Sequence, residues 1–80
     1  GEINSTVEDQ AGRLDALRSV FGERAQDVDE LDGLTVTLAD GSWFNVRASN
    51  TEPLLRLNVE AADDASMTSL RDEALAVIRQ

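Results

Sequence analysis

The chain has no cysteine, histidine, tyrosine or lysine, and one proline. Lacking cysteine, it has no disulfides, thiolate zinc sites or thiol nucleophiles, and its composition is compatible with a reducing compartment. Lacking histidine too, it cannot assemble the usual pairings of nucleophile and base, and only carboxylates are left as general bases. No apolar run approaches the roughly 20 residues of a membrane span, and the opening GEINSTVED has no charged-then-apolar signal pattern. A cytoplasmic location is the expectation. Aromatic residues are scarce as well: Phe21, Phe44 and Trp43 are all there are. The basic stripe and stacking platform that nucleic acid requires are missing. The net charge of -9 repels a nucleic-acid backbone and an anionic membrane alike. Neither partner is expected. Any anion site must be local, because at cellular salt distant carboxylates are screened over about 8 Å.

What is present fits one small globular domain spanning residues 1–80. A hydrophobic content of 41% is too high for a disordered acidic tail. A chain this short buries only about 60% of its unfolded surface and cannot hold two cores. Gly1 reads as an appended residue, and a chain that starts directly in a strand-like segment reads as part of a longer one. Ile3, Ser5 and Val7 alternate as in a short strand. From Asp9 the period lengthens: Ala11, Leu14, Leu17, Val20 and Phe21 predict an amphipathic helix ending near Gly22, capped by Glu8 or Asp9. RAQDVDELDG reads as a loop or an ill-determined strand closed by an Asp32–Gly33 turn. Its carboxylates invite a divalent cation, but the glycine and terminal glutamate of a calcium loop are missing, and a solvated acidic connection is the better reading.

Leu34, Val36 and Leu38 then alternate, as do Phe44, Val46 and Ala48, and Asp40–Gly41 between the two runs signals a hairpin. Leu55, Leu57, Val59 and Ala61 mark a further strand. Met67, Leu70, Ala74, Val77 and Ile78 form the stripe of a final helix capped by Asp63 or Asp64. The expected class is α+β in β-α-β-β-β-α order: an antiparallel sheet of four or five strands with both helices packed on one face.

Between two of these strands lies RASNTEP. If Val46 and Ala48 face the helices, Arg47, Asn45 and Trp43 face the other way. Ser49, Asn50 and Thr51 follow, all tolerant of turn geometry and able, with several backbone amides, to donate toward one point. A phosphate suits that set, since a guanidinium fork matches two of its oxygens and successive turn amides form an anion nest. Pro53 stiffens the loop and restricts Glu52. The plainer alternatives are an Arg47 that is solvated or paired with Glu52 or Glu60, a Trp43 that fills an uncovered face, and an Arg56 and Glu60 that form an exposed charge array. Ser49 to Glu52 also fits a Ser-x-x-Glu capping box, but no helix follows.

The run DGSWFNVRASNTEPLLRLNVEA, with its Arg-x-Ser-Asn-Thr-Glu-Pro core between a hairpin and an arginine-containing strand, resembles the C-terminal domain of the α-D-phosphohexomutases of bacterial phosphomannomutase/phosphoglucomutase type. The order of elements resembles that domain over nearly the whole chain. The resemblance implies a fold similar to the TATA-binding protein's, in the last domain of a four-domain enzyme that swings over the cleft. Carried over residue by residue, it implies substrate-phosphate contacts from Arg47, Ser49, Asn50 and Thr51, with Glu52 and Pro53 shaping the loop. Asn50 resembles the mannose/glucose branch, since the phosphoglucosamine branch tends to have glycine there.

The implied reaction is an intramolecular phosphotransfer, an isomerase activity that interconverts glucose or mannose 6-phosphate and 1-phosphate through a bisphosphorylated sugar. The implied partners are that phosphosugar and the preceding domains of the parent. The family's phosphoserine, magnesium-binding aspartates and sugar-selecting loop have no counterpart in these residues. Magnesium is therefore expected in the parent and no cofactor, metal ligand or catalytic residue here, and the isolated chain is expected to be inactive. The alternative is a stand-alone phosphate-binding or protein-interaction module.

Overall fold

The computed structural model describes residues 2–80; Gly1, read above as an appended residue, lies outside them. Five strands and two helices follow one another as β1 (Glu2–Thr6), α1 (Gln10–Phe21), β2 (Ala25–Asp29), β3 (Leu34–Leu38), β4 (Trp43–Ala48), β5 (Leu54–Glu60) and α2 (Asp64–Ile78). All neighbours in the sheet are antiparallel, in the spatial order β1-β5-β4-β3-β2. The α+β layering is as expected, but the order has one strand more than β-α-β-β-β-α. The addition is β2, cut from the segment whose sequence left loop and strand open. Ala25, opposite Leu38, packs against the core, Val28 opposite Val36 stays exposed, and a register shift falls between Ala25 and Asp27. Pairing with β3 makes this strand, and its Asp27 and Asp29 keep an exposed edge charged.

The alternating residues of the central strands divide between two faces. Leu34, Val36, Leu38, Phe44, Val46, Leu55 and Leu57 are buried in one cluster with Leu17 and Phe21 of α1 and with Leu70, Ala74, Val77 and Ile78 of α2. Both helices therefore cover the same face. Phe21 and Phe44 meet edge to face with centroids 4.8 Å apart, which ties α1 to the middle of the sheet. The predicted stripes are trimmed at their margins: Ala11 and Val20 of α1 are exposed, as is Ala48 where β4 leaves the core, and Met67 is half-buried. Each helix starts at an aspartate that accepts from a backbone amide three residues on, Asp9 from Gly12 and Asp63 from Ser66. The hairpin turns at Gly41, with φ of +89°. Among the described residues no helix is long and apolar enough to cross a membrane.

Candidate functional site

At the end of β4 the chain leaves the sheet over residues 49–53 and returns as β5. Arg47, the last residue of β4 on the uncovered face, stands in register with Arg56 of β5. Directly opposed residues of an antiparallel pair project to the same side, where like charges destabilise each other unless something neutralises them. Arg56 makes no ion pair among the described residues, and its Nε is buried without a hydrogen-bond partner. The two arginines border an open depression of about 600 Å³ whose wall also includes Ser49, Asn50 and Thr51, with Leu14, Asp32 and Gly33 on the other side.

Four of the residues singled out from the sequence are thus brought together, while Glu52 and Pro53 stand behind them and do not line the depression. Arg56 is what sequence reasoning passed over. The exposed array with Glu60 is not formed, because Glu60 borders a separate groove on the sheet face with Trp43, Asn45 and Asn58. Strand alternation across a five-residue connection, and the arginine in the strand that follows the Arg-x-Ser-Asn-Thr-Glu-Pro core, were the signals pointing to Arg56.

Most backbone amides of the loop are already committed. Ser49 N–H donates to the Leu54 carbonyl and Leu54 N–H to the Glu52 carbonyl, at 3.1 and 2.8 Å. The Ser49 hydroxyl oxygen accepts from the amides of Thr51 and Glu52 at 3.3 and 3.2 Å. The second of these is the capping-box bond made without a helix, and Ser49 keeps its own hydroxyl proton to donate. No non-glycine residue among those described has positive φ, so any nest of turn amides here is made without a left-handed residue. The donors that face the depression are mainly side chains.

Arg47 has a partner that the sequence did not suggest. Its Nη1 reaches the carboxylate of Asp32, at 3.2 and 3.4 Å, rather than Glu52 or Glu60. Asn45 fixes the same corner by donating to the Asp32 carbonyl and to Thr35 Oγ1, both at 2.9 Å. Gly33 makes the approach possible. With φ of +75° it lies where a Cβ would come within 2.5 Å of the Val46 carbonyl and 2.6 Å of Arg47 Cγ. The Arg47–Asp32 pair is open to water, with the carboxylate side chain 82% exposed, so it is a weak contact that an incoming anion can displace.

Elsewhere the arginines are occupied. Arg18 pairs with Asp15 and Glu30, Arg24 with Glu73, and Arg71 with Asp72, while Arg13 donates to the Val77 carbonyl and Arg79 to Ser5 Oγ. The carboxylates of Glu30 and Asp15 hold the Arg18 guanidinium above its ordinary pKa. Of the DVDELD carboxylates, Asp29 accepts from the Leu31 amide, Glu30 pairs with Arg18 and Asp32 with Arg47. No group of three or more histidine, cysteine or acidic residues among those described is placed to hold a metal ion.

Residues 2–77 match the family described as phosphoglucomutase/phosphomannomutase, C-terminal domain. A phosphomannomutase of Salmonella typhimurium is 43% identical over 79 residues, covering 98% of this chain and 17% of the relative. Proteins described as phosphohexose mutases from Xanthomonas campestris pv. campestris are 39% identical over 77 residues, covering 95% of the chain and 17% of the relative. A probable phosphoglucosamine mutase of Methanopyrus kandleri is 45% identical over 58 residues, 72% of the chain and 13% of the relative. The chain spans about a sixth of the length of the first two.

Proposed function

The chain belongs to the phosphoglucomutase/phosphomannomutase C-terminal domain family, and from that membership we propose that it holds the phosphate of a phosphosugar for a parent mutase and helps close that enzyme's cleft. The observation that carries this reading is the convergence of Arg47, Arg56, Ser49, Asn50 and Thr51 on one depression. Charge-assisted bonds contribute about 1.5–3 kcal/mol each, so a few of them outweigh repulsion from a screened acidic surface. The substrate class is glucose or mannose 1- or 6-phosphate. An open cluster of side-chain donors accepts a phosphoryl group in either orientation of the sugar, as interconversion through a bisphosphate requires. The phosphotransfer itself is assigned to other domains of the parent, as is any magnesium, and the isolated chain is inactive on this reading.

The test is an amide NMR titration with millimolar glucose 6-phosphate. Signals of Arg47 to Thr51 shift in the wild type and stay still in Arg47→Ala. Shifts that persist in the variant, or a wild-type loop that ignores the ligand, contradict the proposal. In the parent enzyme Arg47→Ala lowers kcat/KM by about 2–4 kcal/mol of transition-state stabilisation, and unchanged kinetics return Arg47 to a surface role.

A further inference from the structure

Gln10 is the first residue of α1, beyond the Asp9 cap, and its side chain does not serve its own helix. Its Nε2 lies 2.8 Å from the Leu54 carbonyl and 3.3 Å from the carbonyls of Ser49 and Glu52, about forty residues away in sequence. Two N–H groups are thus shared among three acceptors. Val7 N–H adds a bond to the Pro53 carbonyl at 2.8 Å from the same side. The oxygens of Ser49, Glu52, Pro53 and Leu54 are therefore turned toward α1 and the end of β1. Carbonyl oxygens are the negative ends of the peptide dipoles and would repel a phosphate if they faced it.

The orientation has a second consequence. In a planar trans peptide the C=O and the following N–H point in opposite directions. With the Ser49 carbonyl held toward Gln10, the Asn50 amide points away from it. That amide donates to nothing among the described residues, whereas those of Ser49, Thr51 and Glu52 are all engaged.

We propose that Gln10 is the positioning residue of the phosphate site, drawing the loop carbonyls away from the ligand and leaving the Asn50 N–H as the backbone donor to the phosphoryl group. The role rests on the phosphate-holding reading above. Gln10 acts through the loop and does not line the depression itself.

The test uses Gln10→Met, of similar length without donors, and Gln10→Asn, which keeps polarity but is a methylene too short to reach. Both are read by the 15N heteronuclear NOE of residues 49–53 in the free chain, and by titration with inorganic phosphate. Unchanged β3–β4 amide signals establish that each variant is folded. The expected result is lowered NOE values confined to the loop, a weakening of phosphate binding by about five- to tenfold, and a smaller ligand shift at the Asn50 amide. A loop as ordered as in the wild type overturns the proposal, and so does a loosened loop that binds phosphate with undiminished affinity. A loop loosened by the substitutions in a chain whose wild type ignores phosphate supports the clamp and overturns the phosphate reading, which separates the two.

Discussion

The contact between Arg47 and Asp32 decides how ready the site is for an anion. Asp32 occupies part of the guanidinium that a phosphate would use, and it is set there by Asn45 and by a glycine that leaves no room for a side chain. Because the pair is exposed, it adds little to stability, but its charge stands within a Debye length of the ligand. Asp32→Asn is expected to tighten glucose 6-phosphate binding about two- to fivefold at low salt, with the gain shrinking at high salt. Equal affinities for wild type and variant at both ionic strengths would show that Asp32 does not compete. Arg47, Ser49, Asn50 and Thr51, which line the depression, could be singled out in sequence because they fall in the one short stretch that carries the family resemblance. Asp32, Gly33, Gln10 and Arg56 were not singled out, since each meets the loop only through strand register or helix packing.

Among the elements, legibility followed burial. The central strands alternate cleanly because the helices bury one face of each, and the second helix shows its stripe for the same reason. The strand β2 carries no such pattern, because an exposed edge strand buries almost nothing and its hydrogen bonds to β3 leave no mark in composition. Helix starts were readable to within a residue, since the cap needs a particular side chain. The cap of α2 also makes a pH prediction. The Ser66 amide, and then its hydroxyl, hydrogen-bond the Asp63 carboxylate and hold its pKa below the ordinary value of 3.8. The hydroxyl and amide of Ser42 do the same for Asp40 at the hairpin. A carboxyl whose pKa is lower when folded stabilises the fold fully above its unfolded pKa, and that contribution disappears as pH falls through the folded value. Thermal melts of the wild type should lose Tm below about pH 4, and Asp63→Asn, which caps without titrating, should lose less over the same range. Identical pH profiles would mean that the Asp63 cap contributes nothing to acid sensitivity.

On the scale of the whole molecule, an acidic domain presents a small basic concavity at one end of its sheet. Other arginines are spent on ion pairs or on anchoring the C-terminal end of α2, which leaves Arg47 and Arg56 as the pair facing a common depression. Such a site should select for charge on the ligand more than for the sugar that bears it. Calorimetric titration of the chain with glucose 6-phosphate across pH 5 to 7.5 tests this most directly. The ester takes up its second negative charge near pH 6. The account predicts affinity that rises with that ionisation, competition by inorganic phosphate, and no heat from glucose. Binding that is indifferent to the ester's ionisation, or equally strong for glucose, would contradict it.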